Sequence, residues 1–144
     1  MSFSIVYVGG GILDKVRSVT RLEGGRFDAP YMPTLTEPYI KGRQVQVAGA
    51  VGKTTDTFTL DVNTELLSIA IGADKYQPRD YWNLYVGETK IVDTVYTKEL
   101  PEGINLMVVQ PVPAGTPVRL EFFNEGGAAK QVWFNLQFLK GADE

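Results

Sequence analysis

The sequence predicts an all-β protein: an antiparallel β-sandwich, jelly-roll-like, behind an extended N-terminal arm rich in glycine and proline. Three observations carry this expectation. From residue 44 onward, apolar and polar residues alternate in separate short segments, the mark of strands with one buried face. Clusters of Gly, Pro, Asn and Asp punctuate those segments at short intervals. Helical periodicity between residues 44 and 139 is negligible. These features divide the chain into residues 1–43, an N-terminal strand and arm; residues 44–140, the sandwich; and residues 141–144, a polar tail.

The arm begins with a short apolar stretch, Ser4-Ile5-Val6-Tyr7-Val8, that stops at Gly9-Gly10-Gly11. A secretory signal needs a basic leader and a longer apolar core, so synthesis in a cytoplasm without export is expected. Residues 9–43 hold Gly24, Gly25, Pro30, Pro33, Pro38 and Gly42 as well. Proline removes a backbone donor and restricts its predecessor to extended geometry. Ile12, Val16, Val19 and Leu22 fit a short helix, and Val16, Ser18, Thr20 and Leu22 fit one face of a strand; both stay open, with irregular or extended structure favoured. Tyr31, Met32, Leu35, Tyr39 and Ile40 lie among three prolines. They suit an arm lying along a surface, its own or a neighbour's.

The strands follow in order. Gln44–Val47 alternates, and Thr57–Val62 puts Phe58, Leu60 and Val62 on one face. Leu66–Ile71 is apolar on both faces, as a doubly covered strand would be. Tyr81–Val86 sets Trp82, Leu84 and Val86 against Tyr81, Asn83 and Tyr85. Gly87-Glu88 fits a two-residue type II′ turn, with Thr89–Tyr96 returning. Asn105–Gln110 is a short apolar strand, broken by Pro111, Pro113 and Pro117 around Ala114-Gly115. Val118–Asn124 points Val118, Leu120 and Phe122 inward, Glu125-Gly126-Gly127 turns, and Gln131–Leu139 points Val132, Phe134, Leu136 and Phe138 inward. The predicted common core is Phe58, Leu60, Trp82, Leu84, Leu120, Phe122, Phe134 and Leu136.

Composition narrows function. The chain of 144 residues has no cysteine and no histidine. That excludes thiol nucleophiles, Ser-His-Asp triads, imidazole bases and the usual zinc sites. Fourteen basic against seventeen acidic side chains leave a net charge of −3. This is no electrostatic footprint for nucleic acid or an anionic membrane, and no apolar run is long enough to span one.

Three motifs invite chemistry and fail their context. Gly49-Ala50-Val51-Gly52-Lys53-Thr54 resembles a phosphate loop, but only two residues separate Gly49 from Gly52, where four are needed. A strand follows instead of a helix, so a turn is expected. Asp61, Asn63 and Glu65 alternate as at the start of a Ca²⁺ loop, yet Leu66 and Gly72 occupy the positions that require Gly and Glu. Asn124 and Glu125, beside two glycines, read as a turn by the same weighing. Among the carboxylates, Asp74, Asp80, Asp93 and Glu121 lie near aromatic segments, but no spacing selects an acid-base pair. No catalytic residue, cofactor site or metal site is therefore expected, and the protein is expected not to be an enzyme.

The aromatics are more informative. Tyr81 and Tyr85 flank Asn83 on the face opposite the core set; Trp133 sits beside Asn135 and Gln137, and Phe123 next to Arg119 and Glu121 on the side opposite Leu120. Such faces serve as protein interfaces or as stacking platforms for sugars, or are covered by the arm. With Tyr31, Met32, Leu35 and Tyr39 from the arm, the four form the candidate interface.

Four runs carry a family resemblance: Asp80-Tyr-Trp-Asn-Leu-Tyr-Val, Val95-Tyr-Thr-Lys-Glu-Leu-Pro-Glu-Gly, Val112-Pro-Ala-Gly-Thr-Pro-Val and Val132-Trp-Phe-Asn-Leu-Gln-Phe-Leu. This stretch, residues 80–139, resembles β-sandwich structural proteins of tailed bacteriophages: head-decoration, head-fibre, tail or baseplate components. The resemblance implies a non-enzymatic virion protein, without cofactor, that assembles as a homo-oligomer and contacts other virion proteins. The alternative is a carbohydrate-binding jelly roll that attaches to host-surface glycans.

Overall fold

A computed structural model describes residues 32–142. Eight strands follow one another: β1 (Glu37–Val47), β2 (Gly52–Phe58), β3 (Thr64–Ala73), β4 (Tyr81–Val86), β5 (Thr89–Tyr96), β6 (Glu102–Val112), β7 (Val118–Asn124) and β8 (Lys130–Lys140). They form two four-stranded sheets, ordered β1-β8-β3-β6 and β2-β7-β4-β5, and every pairing is antiparallel. Two interleaved Greek keys give this order, so the sandwich is a jelly roll.

Alternation sets the faces. Along β8, Val132, Phe134, Leu136 and Phe138 are buried while Trp133, Asn135 and Gln137 are exposed. Along β4 and β7, Trp82, Leu84, Val86, Val118, Leu120 and Phe122 point inward from the second sheet. The two inner faces meet where the Trp82 and Phe134 rings pack edge to face at 5.5 Å. All eight residues of the predicted core are buried. The β4–β5 turn is also as expected. Gly87 has φ of 60° and Glu88 is not among the positive-φ residues, which is the II′ pattern.

Three segments depart from the sequence reading. First, β1 begins at Glu37, not Gln44, and pairs with β8 from Glu37↔Lys140 to Val47↔Lys130. The last part of the expected arm is thus a strand of the chain's own sheet. Its inward side chains, Glu37, Tyr39, Lys41 and Arg43, are half-buried at the sandwich margin, so polarity and Pro38 hid the strand. Second, β2 occupies Gly52–Phe58 instead of Thr57–Val62. Its inward residues before Phe58 are Thr54 and Asp56, a poor apolar signal, while Leu60 fills the core from the connection that follows. Third, β6 runs through Pro111, which pairs with Glu65. A margin strand tolerates a residue without a backbone donor.

The β3–β6 ladder contains a large irregularity. Leu66 pairs with Gln110 and Ser68 with Asn105, so residues 106–109 face Leu67 alone. Met107, on this bulge, is 96% exposed. The residues of the phosphate-loop-like segment form a turn and the start of β2, as expected. Conformations expected for residues 1–31 lie outside the described residues.

Candidate interaction surface

The outward face of the second sheet brings together most of the unusual side chains. Tyr81 and Tyr85 come from β4 and Phe123 from β7, because all three alternate with core residues. Tyr81 stacks on Phe123 at 4.4 Å with ring planes 10° apart, and meets Tyr96 of β5 edge-on at 5.5 Å. Offset stacking and edge contacts are the geometries ring quadrupoles favour. Arg119 lies over the Tyr85 ring at 4.0 Å, and Lys90 approaches it at 5.5 Å.

Beside this aromatic row runs a polar one that crosses all four strands. Lys53 Nζ lies 3.5 Å from Glu121 Oε2. Asn83 Nδ2 donates to Glu121 Oε1 at 3.1 Å, and Asn83 Oδ1 accepts the Thr94 backbone N–H at 2.7 Å. Arg119 Nε adds a second cation 3.6 Å from Glu121. Asn83 and Glu121 are buried, so these partners meet the requirement that buried polar groups be hydrogen-bonded. Thr94 has φ of 56°, an uncommon conformation for a residue with a side chain. The Asn83 carbonyl holds it there, at a register shift between β4 and β5. On β5, Lys90 Nζ donates to Asp93 at 3.0 Å. That bond, with a smaller contribution from Thr94, holds the Asp93 carboxyl below its ordinary value, and Lys90 is raised by the same contact.

The other candidate residues go elsewhere. Trp133 is 39% exposed on the outward face of the first sheet, opposite Gln44 and Gly72. A shallow hollow of about 450 Å³ lies on that face, lined by Ile40, Ser68, Ala70, Gly103, Asn135 and Gln137 among others. Tyr39 packs on the protein's own core, its ring 6.3 Å from Phe138. The Leu35 N–H donates to Glu65 Oε1 at 3.0 Å, and Thr34 reaches the same carboxylate through its backbone and hydroxyl. Met32 is half-buried, and Tyr31 lies outside the described residues.

Glu65, Asn63, Asn124, Asp74 and Asp80, considered for metal or acid-base chemistry, are engaged in structure. Glu65 clamps the segment that leads into β1, and Asn63 Oδ1 accepts the Ala114 N–H at 2.8 Å. Asn124 ties two connections, β1–β2 and β7–β8: its Nδ2 faces the carbonyls of Ala48, Ala50 and Ala128 at 3.0–3.2 Å, and its Oδ1 accepts the Gly127 N–H. Asp74 accepts the Gln131 N–H. Asp80 pairs with Lys130, both side chains 1% exposed. Sequence reasoning placed Asn83 and Glu121 near the right rings but missed Lys53, Tyr96 and Thr94. Their part depends on strand order, which alternation does not encode.

A family model described as "Domain of unknown function (DUF8551)" matches residues 35–143. No curated protein matches the chain. Among solved structures, a chain from "Cyanophage Pam1 capsid asymmetric unit" is similar at 16% identity and TM-score 0.50, over 81% of this chain and 94% of that one. "Crystal Structure of FLHE" aligns at 8% identity and TM-score 0.44, over 72% and 99% of the two chains. "Structure of infectious bursal disease virus Gx strain" aligns at 9% identity and TM-score 0.36, over 78% and 35%. At 16% identity the likeness to the cyanophage capsid chain is one of fold.

Proposed function

This chain belongs to the DUF8551 family of domains of unknown function, and from that premise we propose that it is a non-enzymatic structural component of a tailed-bacteriophage virion. Its place is in capsid decoration, the head or the tail, and it acts through contacts with copies of itself and with other virion proteins. The observation that carries this reading is the complete eight-strand jelly roll, a fold used by viral capsids and lectins. The similar chain of the cyanophage capsid is covered over 94% of its length. The whole sequence also lacks histidine and cysteine, which removes the commonest acid-base and nucleophilic side chains.

The aromatic face of the second sheet suits protein contacts better than sugar stacking. Phe123 already covers the Tyr81 ring and Arg119 lies over Tyr85, whereas a sugar platform needs an open ring face. Tyr96, at 49% exposure, and Arg119 give the face the aromatic and arginine character that interfaces favour.

The test is assembly of the full chain. Light scattering should give a defined oligomer, and purified particles from the source that encodes the chain should contain it in fixed proportion to the major capsid protein. A chain that stays monomeric and is absent from purified particles overturns the proposal, and specific glycan binding by that monomer would favour the lectin reading. The arm contributes to assembly under this proposal. Removing residues 1–43 would cut away most of β1, so the informative truncation removes residues 1–31. It should leave the two sheets folded and weaken assembly; undiminished assembly would rule the arm out.

A further inference from the structure

The pair Asp80 and Lys130 has a geometry suited to more than an ion pair. Asp80 directly precedes β4 of the second sheet, and Lys130 opens β8 of the first. Lys130 Nζ donates to Asp80 Oδ2, and both side chains are 1% exposed. The other carboxylate oxygen, Oδ1, accepts the backbone N–H groups of Glu125 at 2.8 Å and Gly126 at 3.1 Å. The Phe122 ring lies 6.0 Å from Nζ. An ammonium carries three donors, and among the described residues Nζ makes this one hydrogen bond.

We propose that Asp80 and Lys130 condense to a side-chain amide that joins the two sheets covalently. The site supplies what acyl transfer needs. The amine is held against the carboxyl group, which gives the advantage of proximity. Two N–H groups converge on the oxygen where negative charge develops, as an oxyanion hole does. Burial keeps bulk water from the carboxyl carbon, so hydrolysis is disfavoured.

The step balances without any co-reactant. A proton moves from Nζ to Oδ2 along their hydrogen bond, giving an amine and a carboxylic acid. The Nζ lone pair forms a bond to Cγ, and the electrons of the Cγ–Oδ1 π bond move onto Oδ1, where the Glu125 and Gly126 N–H groups receive them. The Oδ1 carbonyl then reforms, the Cγ–Oδ2 bond breaks, and Oδ2 departs as water with its own proton and a second one from Nζ. The product keeps both backbone hydrogen bonds on Oδ1 and one proton on Nζ. In a chain without cysteine, it gives the covalent tie a disulfide would otherwise supply.

The intact mass of the denatured full chain is the test. The expected mass is one water below that of the same chain carrying Lys130→Arg or Asp80→Ala, after allowing for each substitution. Trypsin should fail to cut after Lys130, and one branched peptide should contain both residues. A wild-type mass equal to that of its uncondensed sequence, with free Lys130 in the digest, overturns the proposal. This measurement needs no folded variant, so poor folding of either substitution leaves the decision intact.

Discussion

Asn124 closes the loop end of the sandwich, and replacing it separates two physical accounts of that end. Its amide is fully buried at the last position of β7. It faces carbonyls of the β1–β2 connection at Ala48 and Ala50 and of the β7–β8 connection at Ala128, and accepts from Gly127. An amide nitrogen has two N–H groups, so three acceptors share two donors. Asn124→Ala strands the Ala50 and Ala128 carbonyls and the Gly127 N–H, while the Ala48 carbonyl keeps the Ala50 N–H at 2.8 Å, and each buried group left unpaired costs about 1–3 kcal/mol. The contacts are part-buried, so water recovers some of that loss and the low end applies. Three stranded groups at about 1 kcal/mol each give a destabilisation of about 3 kcal/mol. Asn124→Asp keeps the shape but turns the donor into a carboxylate oxygen facing three carbonyl oxygens. At neutral pH it should cost at least as much as alanine. Urea unfolding, with midpoint and slope compared to wild type, reads both values. If either variant lies within about 1 kcal/mol of wild type, or Asp is milder than Ala, the amide is not what holds the loops.

Other expectations follow from neighbouring features. Phe134→Ala empties a fully buried site against Trp82 and should cost about 3–5 kcal/mol in the same urea assay; a loss under about 1 kcal/mol would reverse the β8 register. Glu65→Ala removes the acceptor of the Thr34 and Leu35 amides, so their hydrogen exchange should accelerate sharply while the amides of β8 stay protected. Asp93 is held below its ordinary value, chiefly by the hydrogen bond from Lys90. Its stabilising contribution is therefore present above the unfolded-state value and is lost as pH falls through the folded one. The stability gap between wild type and Asp93→Asn should close on acidification below the ordinary aspartate range; a gap of constant size at about pH 2 would refute this.

Alternation made the inward faces of β4, β7 and β8 readable from sequence, because each places three or more large apolar residues two apart. It also put Tyr81, Tyr85 and Phe123 on outward positions, where they now share one sheet face. The margin strands were harder to read. In β1 the inward positions include Glu37, Lys41 and Arg43, whose charged ends reach solvent while their stems cover the core; Arg43 closes on Asp56 at 2.7 Å. In β2 the inward Thr54 and Asp56 broke the apolar pattern. Tyr39 looked like an anchor for a neighbour because Pro38 beside it argued against a strand, yet its ring packs on Phe138. Contacts such as Lys53 with Glu121, or Asp80 with Lys130, join residues far apart in the chain. Local periodicity carries no information about which strands become neighbours.

The bulges on β5 and β6 make the two flanks of the sandwich unequal. Strand β5 is displaced at Asp93 and Thr94, and β6 at residues 106–109. An incoming strand meeting either would find its hydrogen-bond template interrupted, one of the ways natural sheets resist accretion. On the opposite flank, β1 and β2 keep unbroken register with β8 and β7, and Arg43 with Asp56 bridges the two sheets there. Among the described residues, a continuous backbone template thus lies on one side only. Copies that join by adding a strand would do so through the β1–β2 flank, and this one-sidedness favours closed association over indefinite lateral growth.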